Sequence, residues 1–341
     1  MKNDPSEAVR RLTEPGSSIL AAVSGGSDSA ALLHILAGLA PELSLTLRAV
    51  HFNHQLRGAE SDGDEAFTRE LAASLGVECI CEDLCVTEYA SLHGMATEEA
   101  ARCLRYERLS ALKDTLRADY IATAHTLNDR TETILLNILR GSGLAGLCPL
   151  PEKRGCYLRP LVGFTKAELQ EYLKERRISY RTDSTNLQDI YRRNRLRNTV
   201  IPLLKEHFNP NLDASLSNLA EIAGNANEYI MDAVRAFLSG QGEAPSVEAL
   251  LEQPVIIRHS AIRELIAAAK GEYRDITLKE VKRIDALLAG GPFDTELIGG
   301  GLYAVSDGRY LRITDKARPE FRRDKYTLQP DSELTVNGQR L

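Results

Sequence analysis

The chain reads as an α/β protein whose parallel sheet is covered by helices on both faces, followed by a smaller, mainly helical domain. Three observations predict this. Short apolar β-type runs alternate four times with segments of helical period in the first half. A glycine-containing turn, Ser24-Gly25-Gly26-Ser27-Asp28-Ser29, joins the first such run to its helix. Further on, Leu216, Leu219, Ala223, Ala226, Ile230, Val234 and Phe237 recur at steps of three and four, as one buried helix face requires.

Taken in order, residues 18–23 form the first predicted strand and 28–38 its helix. A strand at 44–50 precedes a helix at 62–75, and one at 77–80 precedes a long helix at 97–116. The fourth unit is a strand at 120–124 and a helix at 129–139. In a Rossmann-like sheet of this kind, ligands bind beyond the carboxyl ends of the strands. The loops at 24–29, 51–60 and 124–129 are therefore expected to meet. Past the change near Asn209–Asn211, helical pattern returns at 247–270 and 277–288, and Asp307-Gly308 between two apolar runs predicts a hairpin turn. The expected division is a catalytic domain at 1–210, a mainly helical domain with a hairpin at 211–316, and a linker or the opening of a third domain at 317–341.

Composition narrows the function. With 43% hydrophobic and 26% charged residues among 341, the chain has the balance of an ordinary water-soluble protein. No apolar run approaches the ~18 residues that span a bilayer, and the first residues lack a secretory pattern. A cytoplasmic protein without a membrane partner is expected. The six cysteines form no C-x-x-C pair, so zinc and iron–sulfur sites lack their usual spacing. The net charge of −6 means that a nucleic-acid partner must be held by a local basic patch.

The turn after the first strand is where chemistry enters. A strand, a glycine turn and a helix start aim free backbone N–H groups at an anion. Gly25 and Gly26 allow close approach, and Ser24, Ser27 and Ser29 add hydroxyls. No lysine follows the glycines, so this is not the common phosphate loop. Asp28 beside phosphates would repel them unless a cation intervenes, which implies Mg²⁺ on Asp28. The plainer reading makes Ser27 and Asp28 helix caps.

This segment resembles the SGGxDS signature of the ATP-pyrophosphatase (PP-loop) superfamily. The resemblance implies cleavage of ATP between its α- and β-phosphates and an adenylated carbonyl oxygen as intermediate. Four further stretches narrow the substrate: His51-Phe52-Asn53-His54-Gln55-Leu56-Arg57; Glu98 to Tyr106; Ala122 to Thr133, with His125, Asp129 and Glu132; and Arg159-Pro160-Leu161, followed by Asp183-Ser184-Thr185-Asn186 and by Arg192 to Arg197. In this order they are similar to the tRNA(Ile)-lysidine synthetases over residues 17–208. That likeness implies ligation of L-lysine to C2 of the wobble cytidine of an isoleucine tRNA, with ATP as co-substrate. It also implies nucleotide contacts from Ser24, Gly25, Gly26, Ser27, Asp28, Ser29, His51 and Asn53. Where the family commonly doubles a His and an Asp in the third stretch, this chain has Thr126 and Asn128.

The residues make chemical sense beside the resemblance. Asp129 and Glu132 are three apart on a predicted helix and share a face. Together with His125 they suit a small cationic ligand such as lysine, although acids also stabilise any helix N-terminus. Arg105, on the long helix, can meet negative charge as pyrophosphate leaves; its plainer role is a salt bridge along its own helix. The expected catalytic set is Asp28, Arg105, His125 and Asp129. Arg192, Arg193, Arg195 and Arg197 form an acid-free basic run that could pair with RNA phosphates or simply be solvated. A tRNA thiolase on the same loop is the alternative enzyme, weakened by the cysteine spacing. A silent tRNA- or nucleotide-binding module is the alternative from another class. Oligomeric state is not legible, and a homodimer stays open.

Overall fold

The computed structural model describes residues 4–56, 58–148, 150–181, 192–273, 275–290 and 294–315, and the backbone of two short strands at 335–336 and 339–340. Arg57, Asp183-Ser184-Thr185-Asn186 and nearly all of 317–341 lie outside those residues. Two compact units are present, Met1–Asn225 and Ala226–Leu341.

In the first unit a sheet of six strands has the order β3-β2-β1-β4-β6-β5. Its strands are β1 (Ser18–Ala22), β2 (Thr46–Asn53), β3 (Glu78–Asp83), β4 (Tyr120–Ala122), β5 (Lys153–Arg154) and β6 (Tyr157–Leu158). All pairings are parallel except β5 with β6, which forms an antiparallel edge. Two strands outrun their apolar pattern. His51, Phe52 and Asn53 extend β2 by pairing with Cys81, Glu82 and Asp83, because ladder hydrogen bonds continue where hydropathy has already turned polar.

Helices cover both faces. Alternation along β1 sends Ile19 and Ala21 to one side and Leu20 to the other. The first side packs on α1 (Pro5–Leu12), α2 (Ser27–Leu43), α3 (Ala59–Ser74) and α8 (Lys166–Glu175). The second packs on α4 (Val86–His93) and α5 (Thr97–Thr115). Leu20, Leu32, Leu33, Leu36, Leu109 and Ile121 are fully buried, each stabilising the fold by about 1.5–3 kcal/mol relative to exposure. The pattern reading missed α1, α4, α8 and the β5–β6 edge, all short and flanked by polar residues. Later elements of the unit are α6 (Leu127–Leu139), α7 (Leu144–Leu147) and α9 (Arg192–Arg195). A five-residue π-helical stretch then leads into α10 (Ile201–His207).

The boundary between the units falls within α11 (Leu212–Ser239). Its periodic face is only partly buried. Ala220, Ala223 and Val234 are covered, whereas Leu219 and Ala226 are exposed, so the expected single buried face is corrected to a narrower one. The second unit continues with α12 (Val247–Glu252), α13 (Val255–Lys270), α14 (Leu278–Leu288) and an antiparallel sheet of β7 (Asp294–Ile298), β8 (Leu302–Ser306) and β9 (Leu311–Thr314). Its core gathers Val234, Leu250, Ile262, Ile284 and Ala304. The predicted turn joins β8 to β9, with the Asp307 carboxylate accepting from the N–H groups of Arg309 and Tyr310. A short antiparallel pair, β10 (Thr335–Val336) with β11 (Gln339–Arg340), follows. No helix among the described residues is long and apolar enough to cross a membrane.

Candidate active site

Gly25 takes φ = +84°, a conformation that side chains resist, and a Cβ there would lie 3.3 Å from the Thr68 hydroxyl on α3. The turn is closed by its own serines. The Ser29 hydroxyl donates to the Gly26 carbonyl (3.0 Å) and accepts from the Ser24 N–H (3.1 Å). Ser27 Oγ donates to Asp28 Oδ1 at 2.9 Å. Arg181, absent from the sequence reading, clamps the turn from outside: its N–H donates to the Gly25 carbonyl and its Nε to Asp64 of α3. The result is a fixed turn at the start of a 17-residue helix, the geometry that binds phosphates.

His51 and Asn53 lie at the end of β2, the strand beside β1. The His51 ring is buried, and its Nδ1–H donates to the Val23 carbonyl at 2.9 Å. Burial holds its pKa below the usual value, so the ring is neutral at pH 7. Asn53 donates to Asp62 (3.1 Å) and accepts from the Gln55 N–H. His51 thus braces the residue that leads into the turn, whereas Asn53 ties the end of β2 to α3.

The third stretch begins α6. Thr126 is its N-cap in a reciprocal capping box with Asp129, and the Asn128 side chain accepts from the Lys166 N–H at the start of α8 (2.8 Å). The two positions that depart from the family pattern therefore fix helix ends. Asp129 spends Oδ2 on Thr126 (2.9 and 3.0 Å) and turns Oδ1 to Arg193 at 3.1 Å. Glu132 is 1% exposed. It accepts from Arg193 Nε at 2.7 Å and from Arg197 Nε at 2.5 Å. Half of the predicted basic run thus reaches inward to the predicted acidic pair, while Arg192 and Arg195 are exposed.

These groups feel one another. Burial raises the pKa of Asp28, the charges of Lys166 and Arg197 oppose the rise, and Asp129 adds to it. The phosphate turn and the α6 cluster are therefore electrostatic neighbours. Burial also disfavours the charged form of Asp129, but Arg193 and the Thr126 N–H outweigh it and hold the carboxyl below its usual range. His125 shares a hydrogen bond with Thr123 Oγ1 (3.0 Å). Its pKa falls to about 4, first through burial, then through Arg159, Arg105 and Arg102 against the attraction of Asp129. Arg105 is buried enough for its pKa to drop, lies in the field of Arg193 and Asp129, and stands 5.9 Å from the Tyr106 ring centroid. Asp28, Arg105, His125, Asp129, Glu132, Arg193 and Arg197 are thus linked by ion pairs or by one another's charge, His51 bonds the end of β1, Asn53 bonds towards α3, and Arg192 and Arg195 are exposed.

Lys166 and Arg181 were missed because nothing near them in sequence links them to the turn. A groove of about 1050 Å³ lined by Asp83, Leu84, Tyr89, Leu92 and Arg108 contains none of the predicted residues. Among the described residues no group of three or more His, Cys, Asp or Glu could hold a metal ion. Cys79 and Cys81 bring their sulfurs to 3.8 Å, yet burial pushes the Cys81 thiol up to about 12, so it stays protonated.

Residues 3–204 match the PP-loop domain family. A tRNA(Ile)-lysidine synthase of Chlorobaculum tepidum is 40% identical over 65% of this chain and 67% of its own length. One from Clostridioides difficile is 36% identical over 64% of this chain and 48% of its own. The chain thus spans roughly half to two thirds of the length of these curated relatives. Among solved structures, a U34-tRNA thiolase from Methanococcus maripaludis aligns with a TM-score of 0.52 over 64% of this chain and 78% of its own, at 18% identity. That likeness concerns the fold.

Proposed function

The chain belongs to the PP-loop domain family, and from that premise we propose that it ligates L-lysine to C2 of the wobble cytidine of an isoleucine tRNA. ATP is consumed, and AMP and pyrophosphate are released. The observation that carries the proposal is the mixed-charge cluster of Asp129, Glu132, Arg193 and Arg197 beside an anion-binding turn.

The two halves suit two ligands. Backbone N–H groups at Gly25 to Ser29 and the positive end of α2 take the triphosphate. Asp28 fits Mg²⁺, which commonly binds through one or two carboxylates with substrate phosphates completing its shell. When bound, the ion offsets phosphate charge. Free lysine carries an ammonium and a carboxylate at one end, and a cluster with both acids and arginines matches that pair of charges. Arg105 offers a fixed positive charge where the carbonyl oxygen at C2 meets the α-phosphorus.

The attacking amine must lose a proton. A His125 of pKa about 4 is a weak base, but its low value comes partly from Arg159, Arg105 and Arg102. Phosphate arriving among those arginines cancels part of their charge and raises His125 towards the range where it accepts a proton. The His125 imidazole, neutral beside the ionised Asp129 carboxylate, then takes the amine proton after adenylation. The C-terminal unit is assigned to tRNA recognition, and the tRNA substrate implies a cytoplasmic location.

The test is incorporation of labelled lysine into an isoleucine-tRNA transcript, with and without cytidine at the wobble position. Lysine should enter only the cytidine transcript and only with ATP. His125→Ala should slow transfer and flatten its pH profile. Incorporation into neither transcript, with the protein folded and ATP bound, would exclude the ligase reading.

A further inference from the structure

Arg159 follows β6 directly, at the carboxyl end of the strand beside β4. Its N–H donates to the Glu152 carbonyl (2.7 Å), while the Thr123 N–H donates to the Leu158 carbonyl (2.9 Å). This register puts Arg159 level with the segment that carries His125, one strand over, and two strands from the phosphate turn. The side chain is 6% exposed. Its Nη1 donates to the Pro151 carbonyl at 3.1 Å, but its Nε has no acceptor. No described carboxylate makes an ion pair with it.

A buried guanidinium without a counter-ion is costly, because the lost hydration is not replaced. Two other situations in this protein show how the cost is usually met. Arg193 and Arg197 are neutralised by Asp129 and Glu132. Arg130, the other described residue with an unpartnered buried Nε, donates to the Ser217 hydroxyl at 2.9 Å and lies in the field of Glu152 and Glu221. Arg159 forms no such ion pair, its Nη1 bond being to a neutral carbonyl, and it adds to Arg105 and Arg102 in opposing protonation of His125. The charges of Arg159, Arg105 and Arg102 therefore all bear on His125, and none of the three makes an ion pair among the described residues.

We propose that Arg159 is a phosphate-binding residue of this site, its buried and unpartnered Nε edge turning to phosphoryl oxygens beside His125 when the substrate enters. A guanidinium edge matches two oxygens of one phosphate. The phosphate can come from the nucleotide or from the RNA backbone, and the assignment to a substrate rests on the reading given under Proposed function.

The experiment compares the full chain with Arg159→Met and Arg159→Lys, measuring melting temperature without ligand, ATP and pyrophosphate affinity, and transcript affinity across salt concentrations. Removing an unpaired buried charge should leave the melting temperature of Arg159→Met equal to or above that of the parent. The same variant should lose at least about tenfold in ATP and pyrophosphate affinity if the nucleotide supplies the phosphate. If the RNA supplies it, the slope of log affinity against log salt should shrink by about 0.7–0.9. Arg159→Lys should fall between the two. Unchanged binding in both arms of either variant, or a fall of several degrees in the melting temperature of Arg159→Met with binding intact, overturns the proposal and makes Arg159 structural. Absence of lysine transfer in the parent, with the ATP arm as expected, would sink the ligase reading alone.

Discussion

The phosphate turn and the α6 cluster lie side by side but are built in opposite ways. Residues 24–29 close on themselves through Ser24, Ser29 and the Gly26 carbonyl, all within six positions. The cluster hydrogen-bonds Asp129 and Glu132 to arginines 61 to 65 residues away. A local turn keeps its shape with few outside partners. A long-range cluster holds only while every charge in it is matched, so the two regions should respond very differently to single changes.

The largest effect should come from Glu132. Glu132→Ala leaves two guanidinium groups facing a site with one acid, Asp129, which is already shared with Thr126. Breaking a buried pair by removing one partner typically costs 3–5 kcal/mol. Arg193 and Arg197 keep 27% and 35% of their side-chain surface, so the low end, roughly 3 kcal/mol, is expected in urea unfolding. Glu132→Gln, which keeps acceptor oxygen, should cost less. A loss under about 1 kcal/mol in Glu132→Ala would mean that the pair behaves like a surface bridge, and the contrast between the regions would fail.

Gly25→Ala probes the turn and should cost less. The added Cβ must adopt φ near +84° and sit 3.3 Å from Thr68 Oγ1 and 3.4 Å from Phe67 Cδ1. A left-handed conformation costs a residue with a side chain about 1–2 kcal/mol. The same variant should weaken ATP–pyrophosphate exchange, because the N–H groups at the helix start move with the turn. If stability drops by more than in Glu132→Ala, the turn is the more interdependent of the two regions.

That contrast also explains what could be read without coordinates. The turn, its glycines and the helix behind it were legible because strand, turn and helix are adjacent in sequence. So was the convergence of three loops at one sheet end, which follows from parallel βα order. The pairing of Arg193 and Arg197 with Glu132 was not, since an acid-free run of arginines reads as solvent-facing until the chain is folded. The capping role of Thr126 and the tether from Asn128 were equally hidden, because both depend on where α6 and α8 begin. The orphaned Nε of Arg159 depends on what fails to approach it, which no spacing encodes.

The smallest effect on stability should come from the outward half of the basic run. Arg192 and Arg195 are exposed, and surface changes of this kind stay within about 0.5 kcal/mol. Their expected cost appears instead in binding. If each meets one RNA phosphate, Arg192→Ala with Arg195→Ala should reduce the slope of log affinity against log salt by about 1.4–1.8. Arg193→Ala with Arg197→Ala should do the reverse, lowering stability through the stranded Glu132 and moving the salt slope little. Four arginines within six positions would then divide by the side of the helix they occupy, two completing the site and two meeting the solvent-borne partner. Equal salt slopes for both double variants would mean that the whole run touches RNA, and that the ion pairs with Asp129 and Glu132 open when it does.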